Sequence, residues 1–283
     1  MNKAELCALL KRLDVHPSRK LGQNFLLDPN LLDAMVRESD IVAGQRILEI
    51  GPGTGMLTWR LLAAGGDVTA VELDHRLANY IRETYETAGK PFRLVQGDAC
   101  KQDYDALMGD KPYRCIANLP YSCSSPFLMH IMEAKNPPQD MYVLLQKEMA
   151  DRLSALQGTK EYGVLTVRLA MRYQAAVVRV IPPEVFFPQP EVQSVFLRLS
   201  PVANPATAEE YRLVSQIAAT VFAQRRKKAF RLLSRCFSEA SMHEAFAKLG
   251  ISEEVRAEGL APEQYRALAN SLDTARKRGA TAE

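Results

Sequence analysis

The chain has 283 residues, 47% of them apolar, with 36 Lys+Arg against 33 Asp+Glu. That suffices for one large domain and a small one of ordinary globular composition. No apolar run approaches the roughly 18 residues of a membrane span, the first apolar stretch is too short for a signal peptide, and the five scattered cysteines form neither a C-x-x-C zinc pattern nor a disulfide framework. The expectation is a monomer in a reducing cytoplasm, with no metal and no membrane contact.

Residues 1–13, MNKAELCALLKRL, read as the start of an amphipathic helix. Five short apolar runs follow, RILEIG (46–51), VTAVELD (68–74), FRLVQGDA (92–99), YRCIANL (113–119) and MYVLLQ (141–146), separated by helix-like segments. The runs are near-continuous rather than alternating, which is how strands buried on both faces read. Gly65 and Gly89 stand where helix C-caps are expected. Strand–helix–strand at this spacing predicts an α/β fold with a mostly parallel sheet.

AAVVRVIP (175–182) and VQSVFLRLS (192–200) are two further strands, joined by too little chain for a crossover helix and so expected to pair antiparallel. PVANPATAEE (201–210) reads as a linker, and a long helix is expected from about residue 209 to 237. The domain boundary is placed near 201–205, giving a domain over 1–200 and a small helical one over 201–283.

The first strand runs into EIGPGTG (49–55). Glycines such as Gly51 and Gly53 let the backbone approach a ligand closely, and the next helix aims its N-terminal N–H groups at it. The alternative is a turn that merely needs glycine. G-x-G-x-G rather than G-x-G-x-x-G leans from a dinucleotide toward S-adenosylmethionine, which has no pyrophosphate to cradle. Glu72, at the end of the second strand, is placed for ribose hydroxyls, and Asp98, after the third, for the adenine amine.

The fourth strand ends in NLPY: Asn118, Leu119, Pro120, Tyr121. An adenine N6 is a poor nucleophile because its lone pair is delocalised into the ring. The amide oxygen of Asn118 and a carbonyl freed at the Leu119–Pro120 turn can hold its hydrogens and draw it toward a tetrahedral shape. Pro120 supplies rigidity, and Tyr121 offers a flat face to a base taken from its stack. Ser124 or Ser125 is expected to cap the next helix. Cys123 reads as a small space-filler, with no His or basic neighbour to activate it.

The whole net charge of +3 falls in residues 201–283, which hold 13 Lys+Arg and 10 Asp+Glu. Arg225, Arg226, Lys227, Lys228, Arg231 and Arg235 crowd into one expected helix and suit phosphate contact. Lys11, Arg12, Arg19 and Lys20 suggest a second basic rim.

At this point the sequence resembles the ribosomal RNA adenine N6,N6-dimethyltransferases along nearly its whole length. KLGQNFLLDP (20–29), EIGPGTGMLT (49–58), VELD (71–74), GDA (97–99), NLPY (118–121), IPPEVFFPQPEVQS (181–194), VFAQRRKKAFRLL (221–233) and EGLAPEQYRAL (258–268) follow in the family's order. The resemblance implies a Rossmann-like methyltransferase sheet with an all-α C-terminal domain that grips RNA. It implies S-adenosylmethionine contacts at Asn24, Leu26, Gly51, Glu72, Asp98 and Asn118, and an aromatic clamp in which Phe186 packs on the target adenine opposite Tyr121. The substrate implied is a pair of adjacent adenines in a hairpin near the 3′ end of small-subunit rRNA, each dimethylated. Two departures are Ser122-Cys123 after Tyr121, where Asn is usual, and Gln193 in place of the Asp of Val-Asp-Ser. Two alternatives stand beside this reading: a 23S rRNA adenine methyltransferase of the macrolide-resistance type, and a non-catalytic rRNA-binding assembly factor.

Overall fold

A computed structural model describes residues 1–18 and 21–280, so the expected rim residues Arg19 and Lys20 lie outside the described residues. The chain divides into two compact units, one of residues 1–150 and 175–200, the other of residues 151–174 and 201–283. The division expected at residue 200 therefore misses an excursion: 151–174 packs with the C-terminal helices. Its helix α8 (Val164–Ala170) buries Leu165, Val167 and Leu169, and α8 adjoins α9 (Ala208–Phe222).

In the first unit, α1 (Lys3–Arg12) forms where expected. Asn2 caps it, accepting from Glu5 N at 3.0 Å while Glu5 reaches back to Asn2 N at 2.8 Å. Leu6, Leu9 and Leu10 make its buried stripe. The five expected strands are all present: β2 (Arg46–Ile50), β3 (Asp67–Glu72), β4 (Phe92–Gln96), β5 (Arg114–Asn118) and β6 (Met141–Gln146). They pair parallel, and β9 (Ser194–Pro201) joins β6 antiparallel, Gln146 facing Ser194. With β7 (Tyr173–Ile181) beside β9 at the edge, the sheet runs β4-β3-β2-β5-β6-β9-β7. Cys115, Ile116 and Ala117 in β5 and Val143, Leu144 and Leu145 in β6 are wholly buried, which is why these runs lack polar alternation.

Strand order reverses between β2 and β5, so their C-terminal ends splay and leave the crevice where ligands bind in such sheets. At the other end of β5, buried Arg114 holds Asp140 through two bonds, Nε to Oδ1 at 2.6 Å and Nη2 to Oδ2 at 2.7 Å. A second, two-stranded sheet pairs β1 (Phe25–Leu26) antiparallel with β8 (Phe186–Phe187). Its alternation puts Leu26 and Phe186 into the main core, and Phe25 and Phe187 toward the cluster around Leu6 and Leu10 of α1. Among the described residues, no helix is long and apolar enough to cross a membrane.

The second unit corrects one expectation. The helix foreseen from residue 209 to 237 breaks: α9 stops at Phe222, residues 223–228 turn, and α10 (Ala229–Leu233) begins afresh. Lys228 is extended (φ −64°, ψ 135°), bridges to Arg256, and is followed by Ala229 N donating to Val255 O at 2.8 Å. Tertiary pairing overrides the helix propensity of this stretch. Arg225, Arg226, Lys227 and Lys228 therefore sit on a turn, and Arg231 on a separate short helix.

Candidate active site

A cleft of about 1020 Å³, its open mouth included, lies at the C-terminal ends of β2 to β5. Asn24, Leu26, Gly51, Gly53, Glu72, Asp98, Asn118, Leu119, Pro120 and Tyr121, all singled out in the sequence, line it together.

The glycine loop is shaped by what crosses it. Gly51 has φ +63°, and a Cβ there would stand 2.9 Å from Pro120 Cγ, so the proline of NLPY seats directly on this glycine. The leading segment closes on the same turn from another side. Gly22, at φ +64°, would place a Cβ 2.7 Å from Ser122 N and 2.8 Å from Tyr121 N, a contact with rigid backbone that nothing but glycine allows.

Glu72 is 95% buried, yet its carboxylate is partnered: Gly53 N donates to Oε2 at 3.1 Å and Asp74 N to Oε1 at 2.9 Å. Burial raises its pKa against those bonds. Each oxygen keeps a lone pair for a further donor. Asp98 accepts from Cys100 N at 2.9 Å, and its side chain is 36% exposed at the cleft. Glu49 has no individual role in the sequence reading, being noticed there only as part of the glycine motif. It is 99% buried, accepts from Thr58 Oγ1 at 2.8 Å, and its carboxyl is pushed up to about 8 by burial first, with Glu72 nearby adding to it. Its place near the end of β2, two residues before the first glycine, was the available signal.

Three acidic side chains besides the protonated Glu49, namely Glu72, Asp74 and Asp98, line this cleft, and no Lys, Arg or His does so among the described residues. Such a lining repels a pyrophosphate and favours a cation. It fits an adenosyl sulfonium: carboxylates for the hydroxyls and amine, and apolar Leu26, Leu73 and Leu77 for the flat base.

The NLPY turn is tied at each residue. Asn118 Nδ2 donates to Asn24 O at 3.2 Å. A carbonyl can only accept, so the amide must present its nitrogen there, which leaves Oδ1 as the acceptor to spare. Leu119 N donates to Leu144 O at 3.0 Å. The Pro120 carbonyl accepts from Cys123 N at 3.1 Å and from Ser124 Oγ at 3.0 Å. No donor reaches the Leu119 carbonyl among the described residues. Ser124 is thus the first residue of α6 (Ser124–Ile131) rather than its cap, because its buried hydroxyl serves Pro120; Cys123 stands at the cap position without a capping bond, its Sγ donating to Pro120 O at 3.4 Å instead. Tyr121 is half-buried, and its hydroxyl shares a short hydrogen bond with Ser194, a residue the sequence offered only as part of a motif. Both departures from the family pattern are accommodated: exposed Ser122 lies against Gly22, and Gln193 uses its backbone carbonyl to accept from Lys147 N at 3.0 Å.

Phe186 departs from expectation. Its ring is 97% buried in the core, across β1 from Leu26, and does not line the cleft, so no aromatic clamp with Tyr121 is assembled. Burying a phenylalanine is favourable by about 1.5–3 kcal/mol, which opposes its release. Half-buried Phe187 lies instead under the Lys3 ammonium, 5.2 Å from its ring centroid.

The basic residues divide. The Arg225 guanidinium donates to Thr159 O and Lys160 O, each at 2.7 Å, and Lys228 Nζ to Glu254 at 2.6 Å. Arg226, Lys227 and Arg231 are exposed and have no ion pair among the described residues.

Comparison with known proteins agrees with this geometry. Residues 16–274 match the family described as ribosomal RNA adenine dimethylase. The ribosomal RNA small subunit methyltransferase A of Methylococcus capsulatus is 37% identical over 257 residues, which covers 91% of this chain and 98% of that one. A dimethyladenosine transferase of Plasmodium falciparum shares the fold with a TM-score of 0.72 at 22% identity, over 88% of this chain and 98% of its own. The 23S rRNA methyltransferase ErmE does so with a TM-score of 0.63 at 24% identity, over 88% and 99%. A match that begins before the first sheet residue and ends inside the last helix spans both units, and by it the chain belongs to the ribosomal RNA adenine dimethylase family.

Proposed function

We propose that this protein dimethylates the N6 amines of two adjacent adenines in a hairpin near the 3′ end of small-subunit rRNA, late in subunit assembly and in the cytoplasm. The observation that carries the chemistry is the Asn118 amide, fixed by Asn24 O so that Oδ1 is left to accept. Its relatives' small-subunit name supports the choice of RNA. A non-catalytic binding role is disfavoured, since such a role gives no reason to keep Asn118, Pro120 and Glu72 in one tied constellation.

S-adenosylmethionine, bound in the acidic cleft, supplies an electrophilic methyl on sulfur. Glu72 holds ribose hydroxyls through its remaining lone pairs, Asp98 takes the adenine amine, and Asn24, Leu26, Gly51 and Gly53 form the walls. The target base lies on Tyr121, whose ring Ser194 steadies. In the first transfer Asn118 Oδ1 and Leu119 O accept the two amine hydrogens and turn the nitrogen lone pair out of the ring as positive charge grows; in the second, one of these acceptors holds the single hydrogen that remains. Pro120, seated on Gly51, fixes both acceptors relative to the cofactor wall. No strong base is required, because the methylated nitrogen releases its proton readily. The rest of the rate comes from in-line placement.

The test is labelled S-adenosylmethionine with undermethylated small subunits and, separately, free 23S rRNA, followed by mass mapping. Label on two adjacent adenines of the small-subunit hairpin is expected. Label confined to 23S rRNA favours the macrolide-resistance type, and no label on adenine refutes both.

A further inference from the structure

Within the helical unit, Leu156 is 76% exposed, the most exposed large apolar side chain among the described residues. It does not sit on a loose loop. Leu156 O accepts from Thr159 N at 3.2 Å and Thr159 Oγ1 at 2.7 Å. Gly158 N donates to Glu258 O at 3.0 Å, and Gln157 Nε2 to Gly259 O at 2.6 Å. The Arg225 bonds to Thr159 O and Lys160 O complete the frame, with Glu258 3.4 Å from Arg225 Nε. Folding gains nothing from a leucine held in water, whereas a turn ordered beforehand lowers the entropy cost of binding.

Arg225 also joins this turn to the basic one at residues 223–228, where Arg226 and Lys227 face solvent. We propose that the two turns form one RNA-gripping edge: Arg226 and Lys227 on phosphates, and Leu156 against the face of an unstacked base or its sugar. Arg225 is then the strut that sets their spacing rather than a phosphate contact. This rests on the rRNA reading above. The chemistry favours RNA over a protein groove because a single exposed apolar side chain on a turn that Arg225 ties to the one carrying exposed Arg226 and Lys227 matches a nucleotide, with a flat apolar face next to a negative charge. Apolar side chains set against exposed base steps are a recurrent device of nucleic-acid binding.

The test uses the full chain and a synthetic hairpin RNA with two adjacent adenines, titrated at several salt concentrations. Leu156→Ala is expected to weaken binding about tenfold, which is roughly 1.4 kcal/mol, equally at every salt concentration. Its unfolding temperature and S-adenosylmethionine affinity should match the parent's. Arg226→Ala should instead flatten the dependence of log K on log salt by about 0.7–0.9. Leu156→Met should restore most of the affinity. Parental affinity in Leu156→Ala overturns the proposal. So does a loss seen with assembled subunits but not with the hairpin, which would mark a protein contact. Failure of the folded parent to bind undermethylated small subunits would remove the rRNA reading, and this inference with it; a parent that binds the subunits but not the hairpin overturns this inference alone.

Discussion

Gly51→Ala perturbs the point where the cofactor loop and the base-binding turn meet. The new methyl would lie 2.9 Å from Pro120 Cγ and 3.2 Å from Pro120 Cδ, at φ +63°. Carbon contacts are optimal near 3.5–4.0 Å, so Pro120 must move by about 0.6 Å or more. A left-handed backbone at a non-glycine residue adds about 1–2 kcal/mol. Because Pro120 carries the Leu119 carbonyl and neighbours Asn118, the shift reaches both acceptors, and a displacement of about 1 Å costs on the order of 100-fold in rate. Gly250→Ala is the control: it has φ +61° but nothing within 4 Å of its new methyl. Thermal unfolding and single-turnover methylation, read together, separate the two costs. Gly250→Ala should lose about 1–2 kcal/mol of stability and Gly51→Ala that plus the cost of displacing Pro120, while Gly51→Ala alone loses roughly 10- to 100-fold in turnover. Parental turnover in Gly51→Ala would show that the Pro120–Gly51 contact does not set the acceptors.

Glu49 should make stability depend on pH. Its folded carboxyl titrates near 8 against an ordinary 4.5, so the folded state keeps a proton that the unfolded chain has released. Stability is then fully present below about 4.5 and falls as pH rises toward 8, by at most about 1.4 kcal/mol per unit. Glu49→Gln should flatten the denaturant midpoint between pH 5 and 8, and an unchanged slope would refute this. Ser194→Ala and Tyr121→Phe remove the same hydrogen bond, each at about 1 kcal/mol. Both should lower kcat more than the affinity for cofactor, and the double variant should be no worse than either alone. Additive losses would disprove the link. Arg114→Ala leaves the Asp140 carboxylate, only 13% exposed, without its partner and should cost about 3 kcal/mol in chemical denaturation. Since it lies at the opposite end of β5 from Asn118, cofactor affinity of the folded fraction should be unchanged.

The sheet and cleft were legible because the cause is local. Strands buried on both faces must be apolar throughout, as in 115–117 and 143–145, and ligands at successive strand ends fall at readable positions such as Glu72, Asp98 and Asn118. What was not legible depends on partners distant in sequence. QRRKKAFRLL reads as helix, and only the pairing of Lys228 with Arg256 breaks it. Arg225 reads as one cation among six until Thr159 and Lys160, some 65 residues away, take up its fork. Nothing local to residues 151–174 says against which unit they pack; only the distant α9 decides it. Phe186 and Phe187 are adjacent aromatics, and the register of β8 on β1 decides which one faces the core.

Methyl transfer that depends on two fixed acceptors should fail when the side-chain acceptor is removed. The decisive measurement is the single-turnover rate of Asn118→Ala with saturating S-adenosylmethionine and bound small subunits. A fall of about 100- to 1,000-fold with RNA binding intact is expected, the loss typical of removing one preorganised charge-stabilising group. A folded Asn118→Ala protein that methylates adenine at the parental rate would contradict the assignment.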